Sequence, residues 1–235
     1  MTPRLEIKIC GLTRPAESAA VAAAGADVIG LVFHAASPRH IDPARAREIV
    51  DALPTGFPAV GVFAGVPADE VARTADRAGV RIVQFHGAET EDTLGFLLAR
   101  GFHVVKTLKG TGPESLRAVR KLPEACGVLI ECGKGPLPGG NGAAWNWADA
   151  AIFAPLRPFA LAGGLTPENV ATAAAAARAS AVDLSSGVED APGRKNLEKC
   201  ARMVDNMRRL IIEWPVAPVF GAGRSKGRPS CPDNR

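Results

Sequence analysis

Eight short apolar runs recur along the chain, each followed by a stretch of helical periodicity, and this alternation limits the folds open to it. The runs cover residues 5–10, 28–33, 58–63, 81–85, 103–107, 126–131, 158–162 and 181–185. The helical stretches cover roughly 15–24, 43–53, 67–78, 90–99, 113–122, 147–154 and 167–178, and a last helix fits 195–212. Runs such as Val28-Ile29-Gly30-Leu31-Val32-Phe33 are apolar throughout, as strands covered on both faces must be. Leu197, Cys200, Ala201, Val204, Met207 and Leu210 share one face of the last helix. Thr13, Asp42 and Thr166 stand just ahead of Pro15, Pro43 and Pro167, a pattern of helix starts. Eight strand–helix units predict a single (β/α)8 barrel over residues 1–212. A doubly wound open sheet would usually have fewer strands and would often carry a G-x-G-x-x-G turn after the first, which this chain lacks.

At 47% hydrophobic and 22% charged residues, the chain can build one large core. The formal charge of +4 is concentrated in Arg224, Lys226, Arg228 and Arg235, so the body is close to neutral. Aromatic residues make up 5%, too few for the stacking platforms of a single-strand nucleic-acid binder. No nucleic-acid partner is expected. No apolar run is long enough to span a bilayer, and the start Met1-Thr2-Pro3-Arg4 does not resemble a signal peptide, so no membrane partner is expected either. The five cysteines form no CxxC pair and no Cys/His cluster, which points to reduced thiols in the cytoplasm and to no metal site. Residues 213–235, rich in Pro, Gly and Arg, read as a disordered tail.

A barrel of this kind gathers its chemistry at the C-terminal ends of its strands. That rule collects Cys10 from the first strand, Arg39 after the second, Gln84 and His86 from the fourth and Lys106 from the fifth. Glu131 ends the sixth strand, Gly163 and Gly164 end the seventh, and Asp183, Ser185, Ser186 and Gly187 end the eighth. Taken singly, each has an ordinary structural explanation. The glycine turn after strand seven and the Ser-Ser-Gly turn after strand eight are more telling together. Their backbone amides can approach a phosphate closely, and those two loops hold the substrate phosphate in many barrels.

Between residues 6 and 210 the chain resembles the phosphoribosylanthranilate isomerases. The resemblance is carried by Lys8-Ile9-Cys10-Gly11-Leu12-Thr13, Ser37-Pro38-Arg39, Val60-Gly61-Val62-Phe63 and Val83-Gln84-Phe85-His86-Gly87. It continues through Pro138-Gly139-Gly140-Asn141-Gly142 with Trp147, Leu161-Ala162-Gly163-Gly164-Leu165 with Asn169-Val170, and Asp183-Leu184-Ser185-Ser186-Gly187-Val188-Glu189 with Pro192-Gly193-Lys195. The resemblance implies a phosphate-binding barrel that catalyses the third step of tryptophan biosynthesis from chorismate. That step is an Amadori rearrangement of N-(5-phosphoribosyl)anthranilate to 1-(2-carboxyphenylamino)-1-deoxyribulose 5-phosphate, needing no cofactor. It further implies Cys10 as general base, Arg39 facing the anthranilate carboxylate, Asp183 near the ribosyl or amino portion, and Gly164 with Ser186-Gly187 at the phosphate. The family's acid is usually an aspartate, and here Glu131 stands in its place. Loop six departs in step, with Asn141 for the common threonine and Trp145-Asn146-Trp147 for phenylalanine-aspartate-tryptophan. The resemblance leaves open the roles of Gln84, His86 and Lys106, and whether the chain is a monomer or homodimer. A histidine-pathway aldose–ketose isomerase on the same scaffold would instead use aspartates at the ends of strands one and five. A phosphate-ligand-binding protein without turnover is a second alternative, motivated by the Asp-to-Glu change.

Overall fold

Strand formation follows the apolar runs closely. The computed structural model describes residues 4–87, 89–132 and 145–221. Its strands are β1 (Glu6–Cys10), β2 (Val28–Val32), β3 (Ala59–Phe63), β4 (Ile82–Phe85), β5 (His103–Lys109), β6 (Gly127–Glu131), β7 (Ala160–Ala162) and β8 (Ala181–Leu184). All pair in parallel, in sequence order, and β1 pairs with β8 to close the barrel. The helices are α1 (Pro15–Ala23), α2 (Pro43–Asp51), α3 (Ala68–Ala78), α4 (Glu91–Ala99), α5 (Pro113–Lys121), α6 (Val170–Ala177) and α7 (Leu197–Arg208).

Side-chain alternation along each strand separates two cores. Ile7, Ile9, Ile29, Leu31, Val104, Ile130, Leu161 and Val182 point outward and pack with the helices. Cys10, Val28, Val32, Val60, Val62, Val105, Leu129, Ala160 and Ala181 form a second cluster inside the barrel. Burying one such aliphatic side chain stabilises by about 1.5–3 kcal/mol, so the strand pattern and the closed fold reinforce each other.

The helix starts differ from the sequence expectation at two of three places. Asp42 caps α2 by accepting from the Arg45 amide at 2.7 Å. Thr13 instead donates to the Gly193 carbonyl at 2.7 Å, and Arg14 occupies the cap of α1. Residues 167–169 form a turn before α6, held by the Thr166 amide donating to Asn169 Oδ1 at 2.8 Å. The helical stretch after β6 is a 3-10 helix, Trp147–Phe153. A short hairpin absent from the sequence reading, β9 (Glu189–Ala191) with β10 (Arg194–Lys195), follows β8.

Past residue 212 the chain continues as a strap to residue 221 across the barrel's N-terminal end. Trp214 Nε1 donates to the Ala179 carbonyl at 2.8 Å. The Val219 and Phe220 amides both donate to Glu6 Oε2, at 2.6 and 2.9 Å, and His103 Nε2 donates to the Val219 carbonyl at 2.7 Å. Val219 and Phe220 join the core inside the barrel. A side chain at Gly127 would place its Cβ 2.5 Å from the Val219 carbonyl oxygen, so this strand start must be bare for the strap to seat. Periodicity cannot reveal such a segment, since its contacts do not repeat. The remainder of the predicted tail, 222–235, lies outside the described residues.

Candidate active site

Cys10 sits at the tip of β1, facing the barrel interior beside β2, and Gly30 makes room for it. A Cβ on Gly30 would lie 2.6 Å from the Cys10 Sγ. Two residues down the same strand face, the fully buried Lys8 ammonium donates to Asp183 Oδ2 at 2.8 Å. Lys8 and Asp183 are register partners across the β1–β8 seam. Burial pushes the Cys10 thiol above its usual pKa, while Lys8 and Lys195 pull it back. Burial opposes the charge on Lys8, but Asp183 and Cys10 hold its pKa above the ordinary value.

Around this thiol the β1, β2 and β8 wall is built from ion pairs. Arg39 donates from Nε and Nη2 to both oxygens of Glu189, at 2.9 and 2.6 Å. Lys195 Nζ donates to Glu189 Oε1 at 2.6 Å and to the Ser185 carbonyl at 3.2 Å. The Gly193 amide adds a bond to Glu189 at 3.2 Å. Burial works against the Glu189 carboxylate, but Arg39 and Lys195 hold its pKa below the usual value. The fork of Arg39, expected to face a substrate carboxylate, is thus engaged by Glu189. Ser185 donates to the Cys10 carbonyl at 3.0 Å and ties the β8 turn to the β1 tip.

The opposite wall is a chain of hydrogen bonds. Gln84 Nε2 donates to Thr107 Oγ1 at 3.2 Å and lies 2.8 Å from His86 Nε2. With the amide nitrogen there, the imidazole accepts at Nε2 and carries its proton on Nδ1. Nδ1 lies 3.4 Å from Glu131 Oε1. Lys106 donates to the Gly87 carbonyl and the Glu89 carboxylate, so its charge is neutralised by a residue the sequence reading did not select. Gln84 Oε1, Glu131 Oε1 and Asp183 Oδ1 are buried oxygens with no hydrogen-bond partner among the described residues. Such atoms are costly in a stable core and concentrate at functional sites.

The seventh and eighth turns complete the mouth. Gly163 and Gly164 both have positive φ, 92° and 68°. The Gly163 carbonyl accepts from Trp147 Nε1 at 3.0 Å. The N–H of the same trans peptide, on Gly164, therefore points away from Trp147. Asn169 Nδ2 donates to the Gly164 carbonyl at 3.0 Å, and Trp145 Nε1 to the Ala162 carbonyl at 3.1 Å. After β8, Ser186–Val188 makes one 3-10 turn, and a Cβ on Gly187 would come 1.9 Å from the Leu165 carbonyl oxygen. The β7 and β8 turns are therefore packed against each other. The altered loop-six residues Pro138 to Gly142 lie outside the described residues.

The residues collected from the sequence lie at or near the C-terminal ends of the barrel strands, except Lys106, which sits midway along β5 on the face of Val104 and Leu108. Lys8, Glu89, Glu189 and Lys195 were not selected. The signal for three of them was an ionisable residue inside a motif: Lys8 on an apolar strand, Glu189 and Lys195 around Pro192-Gly193.

A closed parallel barrel with a thiol, a carboxyl and two glycine- or serine-rich turns at one mouth defines a (β/α)8 barrel of the phosphate-binding type. The model of the family described as N-(5'-phosphoribosyl)anthranilate (PRA) isomerase matches residues 7–206, and the chain belongs to that family. It is 44% identical over 209 residues to the N-(5'-phosphoribosyl)anthranilate isomerase of Acidithiobacillus ferrooxidans, an alignment covering 88% of this chain and 98% of that protein. Its fold is similar to that of phosphoribosyl anthranilate isomerase from Thermus thermophilus, with a TM-score of 0.79, 34% identity, and coverage of 88% of this chain and 100% of the other. A phosphoribosyl anthranilate isomerase in complex with reduced 1-(o-carboxyphenylamino)-1-deoxyribulose 5-phosphate is similar at a TM-score of 0.74 and 30% identity, covering 87% of this chain and 98% of that one.

Proposed function

We propose that this chain isomerises N-(5-phosphoribosyl)anthranilate by acid–base catalysis, with Glu131 as the acid and Cys10 as the base. The observation that carries this reading is their placement. The two groups end β6 and β1 of one closed barrel, so both reach the same mouth from different walls. Glu131 protonates the furanose ring oxygen and the ring opens to a Schiff base. Cys10, as thiolate, takes the C2 proton, and the resulting enolamine tautomerises to the aminoketose. The thiol's raised pKa means that the proton must leave before this step, and Lys8 favours the anion once formed. His86 Nδ1, 3.4 Å from Glu131 Oε1, orients the carboxyl, which regains its proton from solvent after each turnover.

The substrate phosphate sits at the Gly163-Gly164 and Ser185-Ser186-Gly187 turns, whose backbone amides supply the donors. Asp183 Oδ1 accepts from the amino or ribosyl portion. Arg39 meets the anthranilate carboxylate through Nη1, since Nε and Nη2 serve Glu189. The product enters tryptophan biosynthesis. The free thiols of Cys10, Cys126, Cys132 and Cys200 suit a reducing cytoplasm.

The test is turnover of freshly generated N-(5-phosphoribosyl)anthranilate, followed by loss of anthranilate-type fluorescence, in the parent and in Cys10→Ala. Turnover by the parent and a loss of about 10²–10⁴-fold in the variant is expected. A folded parent that binds the substrate but does not turn it over would overturn the reading in favour of a binding protein.

A further inference from the structure

The inner face of β1 is a column of three ionisable side chains: Glu6 at the base, Lys8 in the middle and Cys10 at the mouth. Alternation puts them on one side of the strand, and Ile7 and Ile9 on the other, in the outer core. All three are buried. The strap reaches this column at two levels. Its Val219 and Phe220 amides hold Glu6 Oε2, and the Lys8 ammonium lies 5.6 Å from the centroid of the Phe220 ring. Phe220 is fully buried. The strap lies beyond residues 7–206, the span matched by the family model.

We propose that Phe220 is a positioning residue for catalysis, seating Lys8 from below so that its charge stays against Asp183 and beneath the Cys10 thiol. The inference rests on Cys10 being the base. An ammonium this deep needs partners on every side. Asp183 supplies one from β8, and the electron-rich ring face supplies one from the strap. The ring also fills the barrel floor. Without it, water reaching Lys8 would screen its field at Cys10, and the ammonium could sink away from Asp183. The charged groups acting on Cys10 are Lys8 on β1, Asp183 on β8, Lys195 on β10 and Arg39 after β2. Of these groups, Lys8 lies over the strap's ring, 5.6 Å from its centroid.

The test uses the full chain with Phe220→Ala, Phe220→Leu and Trp214→Phe. Two readouts are taken: alkylation of Cys10 by iodoacetamide against pH, resolved by peptide mass, and turnover of N-(5-phosphoribosyl)anthranilate. Phe220→Ala is expected to raise the Cys10 alkylation midpoint by about one pH unit. It should lower kcat about tenfold or more while KM stays within about twofold, since substrate binds at the far end of the barrel. Phe220→Leu fills the floor without the ring face, so it should regain stability but keep a raised midpoint. Trp214→Phe loses only the bond to Ala179 and should lower stability with the parent midpoint and kcat. Parent values of midpoint and kcat in folded Phe220→Ala or in Phe220→Leu would overturn the proposal. If the alanine variant does not fold, the leucine variant decides. A parent without turnover would defeat the functional reading alone, because the alkylation midpoints still judge the strap.

Discussion

The two walls of the barrel mouth solve the burial of polar groups in opposite ways. On the β8–β1–β2 side, Glu189 binds Arg39 and Lys195, and Asp183 binds Lys8, so the thiol is surrounded by paired charges. On the β4–β6 side, the groups beside Glu131 are one neutral amide, a hydroxyl and an imidazole in a row. The difference matches what each wall must do. A thiolate is stabilised by fixed positive charge nearby. A carboxyl that must give up and regain a proton is served by neutral neighbours, since a fixed cation against it would hold it ionised. Lys106 alternates with the inward-facing Val105, on the outer face of β5, and is paired there with Glu89.

The largest effect that would break this comparison is expected at the acid. Glu131→Gln should lower kcat by about 10²–10⁴-fold in the fluorescence assay with the fold intact. Full activity would remove Glu131 from the mechanism. Next, Glu189→Gln should destabilise the chain by about 3–5 kcal/mol in denaturant unfolding, because two buried cations lose their shared partner. That variant also tests a pH dependence. Glu189 is held below its ordinary pKa in the folded chain, so its contribution is present above the unfolded value of about 4.3 and is lost as pH falls through the folded value. The acid limb of parent stability should be shallower in Glu189→Gln.

Smaller effects would sharpen the contrast. Glu131→Asp restores the family's usual residue but draws the carboxyl back by one methylene from His86, and a loss of about tenfold in kcat is expected. A gain would mean that the glutamate is tolerated rather than matched to its loop. Finally, because burial raises the Cys10 pKa, kcat/KM of the parent should climb as pH rises from neutral through about 9. A profile flat over that range would show the thiol to be already ionised at neutral pH.

The barrel itself was legible from the chain, because eight apolar runs at regular spacing leave a closed parallel sheet as the economical way to bury them all. Strand tips could be read for the same reason, and with them Cys10, Glu131, Asp183 and the glycine turns. Helix caps were less legible. Thr13 and Thr166 looked like caps, but the Thr13 hydroxyl is taken by the distant Gly193 carbonyl, and at Thr166 the local turn closed by Asn169 delays the helix start.

What only the tertiary structure decided are the pairings between residues far apart in the chain. Arg39 and Glu189 are 150 positions apart, and nothing local marks Glu189 as the group that takes the guanidinium fork. Phe220 lies 212 positions beyond Lys8 in a segment whose composition argues for disorder. Its order comes from one buried carboxylate and one open barrel floor, and neither leaves a periodic trace in the sequence. Repeating contacts write a pattern into the chain that can be read directly. Single long-range contacts write only isolated residues, and it takes the closed barrel to bring them together.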